Sequence, residues 1–351
     1  MDAVEPGWQF ASDNTAGICP EAWDALAAAN AGHAPSYGED EWTRRAADLI
    51  RALFECPAAQ VFFVLNGTAA NSLALAALCR SYHGIICHEQ SHVQTDECGA
   101  PEFFSHGAKL LTVAGGDAKV SPAAVAHVLE HGHELHSSKP RAVSLSQSTE
   151  WGTVYDAAQM AALGRFTRAH DLALHVDGAR FANALAALGA RGVGAADVTW
   201  RAGVDALSLG GTKGGLNTSE AVIFFNPDLA QEFDYRCKQG GQLASKMRFQ
   251  TSQWVGVLES GAWLRHAAHA NAAAARLGAA LRALPGVRLL REVEVNAVFV
   301  DLEAGTAEAM ARAGWYFHRM PGTGYRLMCS WATTDADIER FVADLAPLQR
   351  Q

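Results

Sequence analysis

Ala206-Leu-Ser-Leu-Gly-Gly-Thr-Lys213-Gly-Gly215 decides the reading of this chain, together with Leu172-Ala-Leu-His-Val-Asp177-Gly-Ala-Arg180. Each is a short apolar run of the kind that forms a buried strand, and each stops abruptly at glycine and one or two charged groups. A lysine behind glycines carries little information alone. Paired with a carboxylate at the end of a preceding strand it points to a cofactor site. Pyridoxal phosphate (PLP) needs a lysine for its Schiff base and an acid against its ring nitrogen. Lys213 is the candidate amine and Asp177 the candidate acid.

The surrounding chain reads as alternating strands and helices. Gln60-Val-Phe-Phe-Val-Leu is an apolar strand that breaks at Asn66-Gly-Thr68 into a helix predicted over 69–79. A strand running into a glycine and a hydroxyl at a helix start is a ready anion seat, because free N–H groups and the helix dipole converge there. Strands are also expected at 84–87, 109–113, 142–146 and 221–225, with helices over 20–29, 40–54, 121–131 and 157–170, and a helical stretch over 231–247 interrupted at Gly240-Gly241. This alternation predicts a mostly parallel α/β sheet with its site at the strands' carboxyl ends. Beyond an alanine-rich helix over 261–284, strand-like runs at 287–290, 296–300 and 325–329 predict a small α+β domain. The expected division is an N-terminal arm, 1–36, a large PLP-binding domain, 37–260, and a small C-terminal domain, 261–351.

The 351 residues are 49% hydrophobic, enough for a sizeable core, and 28 basic against 37 acidic side chains give a net charge of −9. That balance argues against broad nucleic-acid or anionic-membrane binding while leaving room for one local anion pocket. Seven scattered cysteines with no C-x-x-C pair read as reduced thiols. The opening Met1-Asp-Ala-Val-Glu-Pro has no leader pattern, and no apolar run reaches membrane-spanning length. The expectation is a cytoplasmic protein acting on a small molecule. His88-Glu-Gln-Ser-His92 fits the zinc-binding H-E-x-x-H pattern, but it follows a strand and leads into a polar, glycine- and proline-containing loop, so no metal site is expected.

Asn66-Gly-Thr-Ala-Ala-Asn71, His175-Val-Asp-Gly-Ala-Arg-Phe181 and Leu209-Gly-Gly-Thr-Lys-Gly-Gly215, in this order, resemble the low-specificity threonine aldolases, PLP enzymes of fold type I, the aspartate aminotransferase architecture. The likeness runs from Phe10-Ala-Ser-Asp-Asn14 to Arg326-Leu-Met-Cys-Ser-Trp331. It departs at Gly214-Gly215, where the family more often has asparagine after the lysine, and at Asn66, where many relatives carry another small residue. The resemblance implies that Asn66, Gly67 and Thr68 hold the cofactor phosphate, that His92 stacks on the ring, that Glu97, the acid five residues after it, contacts the substrate, and that Asp177 faces the ring nitrogen. It also implies that Ser12, Arg180 and Arg326 take the substrate carboxylate, a role that suits the planar guanidinium. His136 would stand near the substrate β-hydroxyl, and Arg248 would reach a phosphate in a neighbouring subunit of a homodimer or homotetramer. The implied reaction is cleavage of Cα–Cβ in L-threonine, L-allo-threonine or phenylserine, with His136, His92 or a water as base. An aminotransferase, a β-eliminating lyase and a non-catalytic PLP carrier remain open alternatives.

Overall fold

The computed structural model describes residues 7–131, 135–320, 322 and 324–349. A seven-stranded sheet is built from β1 (Gln60–Val64), β2 (His83–His88), β3 (Lys109–Val113), β4 (Lys139–Ser146), β5 (Ala173–Gly178), β6 (Ala206–Leu209) and β7 (Glu220–Phe224), in the order β1-β7-β6-β5-β4-β2-β3. Strands β2 to β6 pair in parallel, and β7 alone runs against its neighbours β6 and β1. Six strands therefore end at one edge. β2, β5, β6 and β7 are buried along their whole length, which is why they read as continuous apolar runs and not as alternation. His175 is the polar exception in the middle of β5. Its Nδ1 lies 2.9 Å from the Ser144 hydroxyl on β4 and its Nε2 3.0 Å from that of Ser208 on β6. Burial pushes its pKa down to about 4, so it stays neutral inside the sheet.

The helix Gly67–Leu78 starts two residues before the predicted 69, because Asn66 caps it by accepting from the Ala69 N–H at 2.9 Å. It is buried on nearly every side, which explains its uniformly apolar sequence. The helix Glu41–Leu53 is amphipathic and capped by Asp40. Two glycines let the β6 end approach its neighbours: a Cβ on Gly210 would sit 2.3 Å from the Ala179 carbonyl oxygen, and one on Gly211 2.3 Å from that of Ser219. Any side chain there would displace the turn that carries Lys213.

The expected helical stretch over 231–247 is corrected. The helix is Phe233–Gln239, and Gly240 and Gly241 end it, Gly241 at φ 72°. A separate helix, Arg248–Glu259, follows. It buries Gln250, Thr251, Ser252 and Gln253 on the inside, so polar residues hide its apolar face from a sequence reading. His88 closes β2, with Nε2 3.1 Å from the Gly115 carbonyl oxygen, whereas His92 opens the short turn His92–Thr95. The two histidines do not share a helix.

A second sheet, β10-β11-β9-β8, is antiparallel throughout: β8 (Arg288–Leu289), β9 (Ala297–Asp301), β10 (His318–Arg319) and β11 (Tyr325–Met328). It packs with the helices Ala262–Arg282 and Asp335–Leu345 around Leu277, Leu281, Val298, Val300, Leu327 and Phe341. Phe10 is fully buried in the same cluster, and its carbonyl accepts from the Met328 N–H at 2.9 Å. The N-terminal stretch thus lies as a strap along the small sheet, which delivers residues 12 and 13 to the large one.

Candidate active site

The carboxyl ends of β1, β4, β5 and β6 open onto a cavity of about 570 Å³ lined by Gly67, Ser146, Asp177 and Lys213, with His92, Arg180 and Arg326 in its wall. Ser12 lines it from the strap, and Glu150 and Trp151 from the turn after β4. Lys213 sits in a single helical turn, Thr212–Gly214, between β6 and β7. Glu220, at the start of β7, steadies that turn by accepting from the Gly211 N–H at 2.6 Å, and burial lifts its carboxyl to about pKa 7. Desolvation and the Arg180 guanidinium lower the Lys213 amine below its ordinary pKa. A less basic amine is more often present as the free nucleophile.

Asp177 ends β5 one strand away. Its Oδ2 accepts from Asn71 Nδ2 at 2.8 Å, and its Oδ1 from the Ala179 N–H at 2.9 Å. Asn71 Nδ2 also donates to Glu97 Oε1 at 2.8 Å, and Glu97 Oε1 accepts from His92 Nδ1 at 2.8 Å. Asp177, Asn71, Glu97 and His92 thus form one hydrogen-bonded chain along the cavity wall. The bond to Glu97 raises the His92 pKa, and burial raises that of Glu97. The His92 backbone N–H donates to Glu150 Oε1 at 2.9 Å, and the Ser146 hydroxyl to the same oxygen at 2.6 Å, so His92 is held through its backbone by Glu150 and through ring Nδ1 by Glu97.

Arg180 follows Asp177 by three residues and is held side-on by Asp13, Nε to Oδ2 at 2.7 Å and Nη2 to Oδ1 at 2.9 Å. Arg326, on β11, forms no salt bridge among the described residues, and its Nε is buried without a partner. Burial and the nearby Arg180 bring its pKa down to about 10, so it remains a cation at neutral pH.

A PLP-sized group fits these residues. A Cβ on Gly67 would meet nothing within 4 Å, so the amino end of the twelve-residue helix Gly67–Leu78 faces free volume. Lys213 and Asp177 border that same volume. Thr68 is half-buried beside Gly67, while Asn66 points its side chain into the helix cap and does not line the cavity.

Five expected site residues do not line the cavity within their own chain: Asn66, Thr68 and Glu97, which stand next to residues that do, and His136 and Arg248. His136 is exposed and lies before the amino end of β4, the eight-residue strand whose carboxyl end, Ser146, is in the cavity wall. That separation is about 25 Å by strand rise. Residues 132–134 of the histidine-rich loop, like 1–6, lie outside the described residues. Arg248 begins the helix Arg248–Glu259, with Nη2 3.5 Å from the Gly32 carbonyl oxygen, and does not line the cavity. Asp13, Asn71, Glu150 and Glu220 are the groups the sequence reading missed. Only Asn71, an amide inside an otherwise apolar helix, and Asp13, next to Ser12, carry a sequence signal.

A lysine at the end of β6, an acid at the end of neighbouring β5 and a helix amino end after β1, on a sheet whose only reversed strand follows the lysine, place the chain among PLP enzymes of fold type I. A family model described as β-eliminating lyase matches residues 9–305. A low-specificity L-threonine aldolase of a Pseudomonas species is 52% identical over 338 residues, covering 96% of each chain. That of Pseudomonas aeruginosa is 54% identical over 339 residues, again covering 96% of each. The threonine aldolase of Leishmania major superposes with a TM-score of 0.90 at 30% identity, covering 97% of this chain and 99% of that one. The chain belongs to the low-specificity L-threonine aldolases, within the β-eliminating lyase family.

Proposed function

We propose that this chain is a PLP-dependent lyase that splits L-threonine, L-allo-threonine and bulkier L-β-hydroxy amino acids such as phenylserine into glycine and an aldehyde. The observation that carries the reading is one cavity holding Lys213, Asp177 and His92 together with an arginine, Arg326, that has no acidic partner among the described residues. Lys213 would hold the cofactor, Asp177 would face its ring nitrogen, and Gly67 and Thr68 would receive its phosphate. Bound there, PLP supplies the electron sink that lets a bond at Cα break.

Arg326, Arg180 and Ser12 bind the substrate carboxylate and so fix which bond at Cα is aligned for cleavage. His92 is the base this geometry favours. Its Nδ1 is committed to Glu97, which leaves Nε2 to take the β-hydroxyl proton. Loss of that proton lets Cα–Cβ part and releases the aldehyde, and a proton taken up at Cα completes glycine. The cavity also extends past Trp151, Thr95 and Met320, which supports space for an aryl β-substituent. A homo-oligomer with shared sites belongs to this proposal, supported by Arg248 and His136 lying away from the cavity of their own chain. So do a cytoplasmic location and a division into large and small domains at about residue 260.

The test is incubation of the purified, PLP-loaded protein with a panel of L-β-hydroxy amino acids. Aldehyde and glycine should appear in equal amounts, and Lys213→Ala should release neither. Ammonia and a 2-oxo acid in their place would assign β-elimination, the activity in the matching family's description. Conversion of the cofactor to its amine form without aldehyde would assign an aminotransferase.

A further inference from the structure

The two cavity arginines are not equivalent, and Asp13 makes the difference. Arg180 presents Nε and Nη2 to the Asp13 carboxylate at 2.7 and 2.9 Å, and both side chains are largely enclosed. Asn296, beside β9, donates from Nδ2 to Asp13 Oδ2 at 3.2 Å and to the Cys329 carbonyl at 2.8 Å. Asp13 is therefore fixed from the large sheet by Arg180 and from the small sheet by Asn296. Among the described residues Arg326 has no acid within salt-bridge reach. Asp13 thus pairs with one of the two guanidinium groups, while Arg326 feels Asp13 and Asp96 only at longer range and is left for one substrate carboxylate to pair with.

We propose that Asp13 is a positioning and charge-setting residue. It holds Arg180 edge-on and restricts the buried end of the site to ligands with a single carboxylate. The inference rests on the assignment of Arg180 and Arg326 to the substrate carboxylate, and it adds substrate class. Amino acids with one anionic group are admitted, and those offering a second anion at this end are penalised. The Arg180 and Lys213 titrations agree in sign. Asp13 raises both, outweighing desolvation together with other acids at Arg180 and only countering it at Lys213, whose pKa stays lowered, and it is itself held below the usual carboxylate range by Arg180 despite burial.

The test compares acetate and malonate, which share carboxylate chemistry and differ by one charge, by calorimetric titration of the PLP-loaded parent and of Asp13→Asn. Asparagine keeps the shape and one acceptor for Arg180 but removes the charge. The malonate-to-acetate affinity ratio should rise about ten-fold or more in the variant, since a unit charge is then unopposed in a poorly solvated site. The threonine KM should rise while the preference between threonine and allo-threonine stays unchanged, because the β-substituent lies away from the arginine pair. An unchanged ratio would overturn the inference. Acetate that fails to compete with threonine in the parent would instead overturn the arginine assignment beneath it. Asp13→Ser, with a smaller side chain and the same loss of charge, should shift the ratio in the same direction, and a shift confined to Asp13→Asn would also count against the proposal.

Discussion

Replacing Asn71 with leucine should weaken both the fold and the cofactor site. The amide nitrogen of Asn71 spends both hydrogens on buried carboxylates, each at 2.8 Å, one on Glu97 and one on Asp177. Hydrogen bonds to charged groups contribute about 1.5–3 kcal/mol each, so the pair is worth about 3–6 kcal/mol. Leucine recovers part of this, because burying its side chain contributes about 1.5–3 kcal/mol. It also removes the Asn71 Oδ1 atom, which is buried without a partner. The balance is a loss of about 1.5–3 kcal/mol, or roughly 10- to 150-fold in the unfolding equilibrium. Locally, Glu97 would face Asp177 with no donor between them. Its pKa, already raised by burial, should climb further, and its hold on His92 should loosen. Urea unfolding of the cofactor-free protein measures the first effect, and titration with PLP followed by visible absorbance measures the second. If Asn71→Leu unfolds within about 0.5 kcal/mol of the parent and binds PLP equally well, the bridging role is wrong.

Two buried groups should give opposite pH dependences. His175 has its folded pKa depressed to about 4 from 6.5, so the folded state refuses a proton that the unfolded chain accepts. Stability should therefore fall as pH drops from 6.5 toward 4, by on the order of 3 kcal/mol, and His175→Gln should flatten that part of the urea-midpoint profile. Glu220 has its folded pKa raised to about 7 from 4.5 by burial, so stability should instead fall as pH rises through that window. Glu220→Gln keeps an acceptor for Gly211 and should gain on the parent between those limits, as read by the same unfolding measurement. If the sites are shared between subunits, unfolding Lys213→Ala and Arg248→Ala proteins together and refolding the mixture should restore activity that neither has alone. A mixture as inactive as its parts would place Arg248 outside the site.

The large sheet was legible because most of its strands are buried along their length and read as short apolar runs, a pattern that needs no tertiary information. Lys213 and Asp177 were legible for a chemical reason, as an amine and an acid at the ends of successive apolar runs. Asp13 and Glu220 were not. Asp13 acquires its role only from Arg180, 167 residues away, and Glu220 only from the fold-back of β7 under the lysine turn. The helix Arg248–Glu259 escaped because it buries Gln250, Thr251, Ser252 and Gln253 along with Trp254, Val255 and Val257, which blurs its apolar period, and the two-residue strand β10 is too short to carry one. Asn66 was read as a phosphate contact and is a helix cap. A residue type that suits both jobs cannot be assigned without seeing which N–H it faces.

The reversal of β7 has a mechanical consequence. Every other strand end that feeds the cavity is joined to its neighbour through a long excursion out of the sheet, whereas the lysine turn lies in the short connection between paired strands β6 and β7, from Leu209 to Glu220. Insertions in the crossovers can reshape the mouth of the pocket without disturbing the amine. An extra residue between Leu209 and Lys213, where Gly210 and Gly211 already pack against backbone, would have to be absorbed in the turn that carries the nucleophile. Variation in substrate range is therefore easy for this scaffold to accommodate, and variation in where the cofactor is tethered is not.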